Sequence, residues 1–305
     1  MTLHTSDRRA LALDALTGLS VGDAAGNQGF PPAWRVRSPE RPAGAWSWTD
    51  DTQMACSLVE VLFRYGQVDQ SALAQAFAEH AQEVRDYGSG ALSFMARVRA
   101  GEDWQRVSAD LFDGLGSWGN GGAMRVAPLG AWFADDLDRA AAESARSAEV
   151  THAHPEGVAG AVAVGVAAAH AAALRGTTVV GPAVELFDVA LRLVGARGAT
   201  ALGLRLERAT TMVESSVAEA AQELGNGARI SAVDTVPFAL WVAVTHFHDF
   251  AAAIEACQSV GGDMDTTAAM VGGILAAHHG PSIIPRAWRE IREPLPAWLA
   301  VPDSV

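Results

Sequence analysis

Residues 52–66, TQMACSLVEVLFRYG, decide the fold class. Apolar side chains fall at Met54, Leu58, Val61, Leu62 and Tyr65. That three-to-four spacing puts them on one face of a helix. Gly66 follows as a stop, because glycine adopts the left-handed backbone that ends many helices. Similar patterns cover 7–21, 71–84, 136–149, 156–174, 183–195, 200–222, 234–244, 249–257 and 266–279. Strand-like alternation is nearly absent: TTVV (177–180) and RISAV (229–233) are short and isolated. The spacing predicts an all-α chain.

Half of the 305 residues are hydrophobic and 19% are charged, a balance that fits a globular protein and excludes a disordered one. The net charge of -13 argues against nucleic acid or an anionic membrane as the main partner. All 22 basic residues are arginine, which reads as genome composition rather than mechanism. Two cysteines, Cys56 and Cys257, are too few for a disulfide scaffold and lack zinc spacing. A reduced, cytoplasmic setting is expected. Asp14 interrupts the apolar stretch that follows Arg8 and Arg9, so the N-terminus fails as a signal-peptide core. The longest apolar run, 158–174, falls short of the roughly 20 residues of a bilayer span and is expected to be a buried helix. No linker separates two cores, so residues 1–305 are expected to form one domain, acting as a monomer.

WSWTDDTQMACS (46–57) places two adjacent carboxylates at a helix start. Thr49 reads as the N-cap, with Asp50 and Asp51 in the first turn. Capping alone would account for one such site. The arrangement occurs twice, however: Asp263 and Asp265 precede Thr266, again ahead of an apolar helix. Each site carries one carboxylate more than capping requires. Hard oxygen ligands of this kind suit Mg²⁺, Mn²⁺ or Ca²⁺ rather than zinc. Neighbours on a helix point about 100° apart, so Asp50 and Asp51 can face two ions, or one ion and its water.

Five glycines punctuate 114–122 in DGLGSWGNGGAMR. Glycines let a backbone approach a ligand and aim its N–H groups at an anion. AMRVAPLGAW then resembles a helix start, where phosphate can bind. No Walker lysine and no preceding strand accompany it. The plain alternative is a flexible loop, in which Trp118 would sit oddly; beside an anion cradle it can stack on a base. THAHPEG (151–157) places His152 near a helix cap, where it either caps or binds phosphate. His248-Asp249 is the dipeptide used by HD-type metal phosphohydrolases, a competing reading. His278 and His279 close a helix whose dipole favours them.

In order along the chain, GLSVGDAAG (18–26), WTDDT (48–52), RDYGSG (85–90), GNGGAMRVAPLG (119–130), THAHPEG and GGDMDTTAAMVGGILAAHHG (261–280) resemble the ADP-ribosylglycohydrolase family. The resemblance implies a compact orthogonal bundle of many helices with a central binuclear metal cleft. It implies two divalent cations, Mg²⁺ or Mn²⁺, held by Thr49, Asp50, Asp51, Asp263, Asp265 and Thr266. Asp50 or Asp51 would hold the attacking water or take its proton. The loop 116–124 would cradle the diphosphate of ADP-ribose through Gly116, Ser117, Gly119, Asn120, Gly121, Gly122 and Met124, with His152 beside it. Trp118 and Phe112 match the adenine-stacking aromatics of the serine-directed and poly-ADP-ribose-cleaving branch. The implied partner is ADP-ribose, or a protein or small molecule bearing it through serine, arginine, O-acetyl or polymer linkage. The implied reaction releases ADP-ribose; a member that binds without turnover is the alternative. One departure stands out. Members often carry a glutamate seven residues after the aspartate of GDAxG, on a gating loop; here that position is Phe30, and the next acid downstream is Glu40.

Overall fold

The computed structural model describes residues 3–179, 181, 183–195 and 200–299. Among them are sixteen α-helices and no strand. They are Thr5–Gly29 (α1), Asp50–Tyr65 (α2), Gln70–His80 (α3), Ser89–Arg99 (α4), Trp104–Asp110 (α5), Gly121–Met124 (α6), Ala127–Trp132 (α7), Leu137–Glu149 (α8), Pro155–Ala173 (α9), Glu185–Gly195 (α10), Thr200–Thr210 (α11), Val217–Leu224 (α12), Ala232–Thr245 (α13), Phe250–Ser259 (α14), Met264–His279 (α15) and Arg286–Ile291 (α16). The all-α expectation is met. RISAV yields only an isolated bridge from Ser231 to Gly119. Residues 177–179 of TTVV form no strand, and Val180 lies outside the described residues.

The apolar face of α2 is buried at Met54, Leu58, Val61 and Leu62, but its last member, Tyr65, lies exposed at the helix end, where Gly66 at φ 71° closes the helix with its N–H on the Leu62 carbonyl. Three expected boundaries move most. The first helix runs on to Gly29. The pattern over 71–84 stops at His80, and the pattern over 200–222 breaks into α11 and α12. Ser216 and Glu219 form a reciprocal capping box at that break, a local hydrogen-bond gain that outweighs continuing the helix.

Helices α1 and α15 make the central pair. Gly18, Gly22 and Gly26 form a stripe on α1 at four-residue spacing, and a methyl group at any of them would overlap the backbone of Gly272, Ala268 or Met264. Backbones in such contact can only be built from glycine. The apolar run 158–174 belongs to α9, which packs against α7, α8, α10 and α15. It is long and apolar enough to cross a membrane, yet nearly all of it is buried in the bundle.

Candidate active site

Asp50 and Asp51 stand in the first turn of α2, behind the N-cap Thr49. The cap is not finished locally. Asp23, fully buried in α1, accepts from the Thr49 N–H at 3.0 Å and the Thr52 N–H at 3.1 Å, and from the Thr52 hydroxyl. The orphan donors of α2 are thus met by a different helix, which leaves the Asp51 carboxylate free of backbone duty. Asp51 Oδ2 accepts from Thr49 Oγ1 at 2.8 Å and Thr266 Oγ1 at 3.4 Å. Asp51 Oδ1 is buried with no hydrogen-bond partner.

The second acidic motif opens α15. The helix begins at Met264, two residues earlier than its sequence pattern suggests, so Asp265 and Thr266 lie in its first turn and Asp263 is the N-cap. Asp263 Oδ2 accepts from Asn120 Nδ2 at 2.6 Å. One oxygen each from Asp23, Asp51 and Asp265 lie within 4.8 Å of one another. Burial, then mutual repulsion, pushes the carboxyls of Asp50, Asp51 and Asp265 well above the usual range, and burial raises Asp23 to about 6. A divalent cation among these hard oxygens removes that repulsion and supplies the partner Asp51 Oδ1 lacks, so the residues fit a metal.

Asp50, Asp51, Asp263 and Asp265 line one wall of a cavity of about 780 Å³, whereas Asp23 belongs to their cluster without lining it. That volume suits a ligand of nucleotide size. The cavity holds Asp50, Asp51, Asp263, Asp265, Thr266, Phe112, Ser117, Trp118, Gly119, Asn120, Gly121, Met124 and His152, of the residues singled out in the sequence. Thr49, Gly116 and Gly122 do not line it. Gly116, at φ 72°, lies against Ala153 and His154, and Gly122 packs on Ala148 and Ala161. These two shape the loop from behind.

The glycine loop is anchored rather than free. Arg125, fully buried, donates to the Gly121 carbonyl at 3.2 Å, the Ser147 carbonyl at 2.9 Å and Thr151 Oγ1 at 3.0 Å, and stacks on Phe77. Thr151 Oγ1 lies 2.7 Å from His152 Nδ1. Arg125 therefore holds the Thr151 hydroxyl, and that hydroxyl in turn ties down the His152 ring through Nδ1. Burial, with Arg125 nearby, pushes His152 down to about 3, so the ring is neutral. Nε2 faces Gly119 and Gly121. It is the ring nitrogen beside the part of the loop that would hold an anion. Trp118 and Phe112 are both partly exposed, with ring centroids 5.2 Å apart.

Asp23, which joins the carboxylate cluster without lining the cavity, and the lining residues Asp86 and Ile230 are among those the sequence did not single out. Asp23 sits in GDAAG, and its only signal was its place beside the glycine stripe. Asp86 lines the cavity at φ 70°, held between Arg85 and Tyr87. Arg85 stacks on Trp48 and pairs with Glu293 at 2.9 Å, and the Tyr87 hydroxyl donates to Gln53 at 2.8 Å. Ile230 lines the opposite strip at φ 52°. Phe30 also lines the cavity, whereas Glu40 is exposed and takes no part in it. His248 and Asp249 are absent from the cavity; Asp249 caps α14 by accepting from Ala252 N–H at 3.0 Å. The HD-type reading therefore fails on position. His154, not His152, caps α9.

Comparisons with known proteins agree with this geometry. The family model described as ADP-ribosylglycohydrolase matches residues 4–301. The ADP-ribosylhydrolase ARH3 of Bos taurus is 31% identical over 280 residues, covering 81% of this chain and 74% of that protein. The ARH3 of Homo sapiens is 30% identical over 277 residues, covering 80% and 74%. A solved structure, an ADP-ribosylglycohydrolase-related protein complex, superposes with a TM-score of 0.64 at 26% identity, covering 94% of each chain. With an acid-walled, glycine-looped cavity at the N-termini of α2 and α15, this chain belongs to the ADP-ribosylglycohydrolase family.

Proposed function

We propose that this glycohydrolase cleaves the bond between the anomeric carbon of ADP-ribose and its acceptor with two divalent cations, Mg²⁺ or Mn²⁺. Thr49, Asp50, Asp51, Asp263, Asp265 and Thr266 would hold them, with Asp23 as a further carboxylate. The observation that carries the reading is Asp51 Oδ1, a buried carboxylate oxygen with no hydrogen-bond partner inside a cluster of like charges. Such a group is costly unless a cation meets it. When bound, the ions would orient the ribose hydroxyls and lower the pKa of a water. The chain's own residues do the rest. Trp118 and Phe112 hold the adenine, and the loop 116–124 with His152 holds the diphosphate. Asp50 or Asp51 takes the proton of the attacking water. The water oxygen bonds to the anomeric carbon, the acceptor leaves with the bonding pair, and the acceptor gains a proton. Buried, unpaired Cys56 and Cys257 accord with a cytoplasmic setting.

The test uses seryl- and arginyl-linked ADP-ribosyl peptides with Mg²⁺, Mn²⁺ or EDTA. Free ADP-ribose should appear with either ion and stop in EDTA. Asp50→Ala should abolish release and His248→Ala should leave it. Release that ignores EDTA overturns the two-metal reading. Tight ADP-ribose binding without release from any substrate makes the protein a binder, the reading that Phe30 at the cavity wall would favour.

A further inference from the structure

Asp86 lines the cavity in a conformation that its own side chain does nothing to secure. It follows the short 3-10 turn Glu83–Arg85 at φ 70° and ψ 35°, in the left-handed region. Glycine enters that region freely, and aspartate enters it chiefly where its side chain bonds to nearby backbone. The Asp86 carboxylate makes no hydrogen bond and no ion pair among the described residues. Its neighbours impose the conformation instead. Buried Arg85 donates to the Trp48 carbonyl at 3.0 Å, to Gln82 Oε1 at 3.1 Å and to both oxygens of Glu293 at 2.9 Å. Buried Tyr87 donates to Gln53 Oε1 at 2.8 Å. Between these two fixed side chains Asp86 is exposed.

Its place along the cavity follows from the rim it belongs to. Asp86, Gly88, Ser89, Gly90 and Ala91 all line the cavity. At one end of this rim, a methyl group on Gly90 would stand 3.1 Å from the Phe112 ring, so Gly90 belongs to the aromatic wall. At the other end, Asp86 meets the acids. Burial first, and the Asp86 charge among the neighbouring ones, pushes the carboxyls of Asp50 and Asp263 up. Those two belong to different metal motifs, so Asp86 stands near both. With adenine on the aromatic wall, this is the end at which the acceptor leaves. Neither arginine on the cavity answers Asp86 there. Arg125 is buried and tied to the glycine loop, and Arg229 pairs with Asp234 at 4.0 Å.

We propose that Asp86 is a specificity-determining residue whose carboxylate receives a lysine or arginine side chain flanking the modified residue of a protein acceptor. The proposal rests on the hydrolase reading above and concerns the sequence around the acceptor, whichever linkage is cut. Asp86 stands outside the cluster of Asp23, Asp51 and Asp265, so a cation that meets its exposed carboxylate arrives with the substrate. The side chain that carries ADP-ribose is confined by its own bond to the metal end. Its neighbours in the peptide are the groups free to reach the rim. A basic neighbour finds an unpaired carboxylate there, and an acidic one finds like charge.

Binding in EDTA separates this contact from turnover. Two seryl-linked ADP-ribosyl peptides, identical except for lysine or glutamine on both sides of the modified serine, are titrated against the full chain by calorimetry. The lysine peptide should bind about fivefold more tightly, the upper end for an exposed ion pair. Added salt should narrow that gap. Asp86→Asn and Asp86→Gly, which both tolerate the left-handed region, should close it. Asp86→Lys should turn the preference toward a glutamate-flanked peptide. The ratio of affinities cancels any effect that a variant has on both peptides alike. No gap in the parent overturns the assignment. A gap that persists in Asp86→Asn and Asp86→Gly overturns it too, and assigns the attraction to the acidic cavity at large. Absent turnover beside an intact, Asp86-dependent gap sinks hydrolysis alone; turnover of both peptides with no gap sinks the role of Asp86 alone.

Discussion

Asp23 is buried in α1, yet its carboxylate completes the N-terminus of α2, 26 residues downstream. The paired aspartates that caught attention in the sequence are placed by an acid that did not. TDDT and DMDT were legible because both motifs keep their ligands within four residues. Asp23 was not, because its partners lie on another helix. The same holds for Arg125, which reads as an ordinary residue after GGAM and turns out to brace His152 through Thr151. At this scale two outcomes are expected. Trp118→Ala should weaken ADP-ribose binding by about 1–3 kcal/mol in a titration, with Asp-dependent metal binding unchanged. His279 provides a pH test. Burial, then the neighbouring His278, pushes its pKa down from 6.5 to about 4. A histidine held low in the fold contributes stability above its unfolded pKa and loses it as pH falls through about 4. His279→Gln should therefore lose less melting temperature than the parent between about pH 7 and about pH 4. Equal losses would remove that role.

The glycines of GLSVGDAAG are the element that makes the site. They bring α1 against α15 backbone to backbone, and this carries Asp23 to Asp51 and Asp265. A methyl at Gly22 has to push Ala268 away. Gly22→Ala should cost about 1–3 kcal/mol or more by urea unfolding. It should also weaken Mn²⁺ binding, measured directly by the loss of free-ion paramagnetic signal. Lost stability with unchanged Mn²⁺ affinity would show that this packing does not set the site. Long periodic helices such as α2, α8, α9 and α15 could be read from spacing. Helices α4, α5 and α16 were not. Their residues are rich in glycine, arginine and small side chains, and their helicity comes from packing rather than pattern.

Across the whole molecule, the segment around Glu293 braces the chain just ahead of α2. Trp46 N–H donates to the Ile291 carbonyl at 2.8 Å, Glu293 N–H to the Trp46 carbonyl at 2.9 Å, and Glu293 meets Arg85 behind Trp48. Residues from both ends of the chain thus hold the first metal motif. Ligands that bind only this assembled state stabilise all of it. At about a hundredfold above its Kd, Mg²⁺ or Mn²⁺ should raise unfolding free energy by about 2.7 kcal/mol. Asp51→Asn should lose most of that shift in a thermal melt. A shift of parental size in the variant would place the ion elsewhere.

The sequence by itself determined the helical class, the two acidic motifs, the glycine loop and the family, because each depends on residues close together in the chain. Tertiary structure alone decided that Asp23 joins the carboxylates, that Asp249 is only a cap, and that Phe30 stands at the cavity wall while Glu40 is exposed outside it. Those outcomes depend on where helix ends converge. Convergence is set by packing contacts such as the glycine stripe, whose partner on α15 no local pattern names.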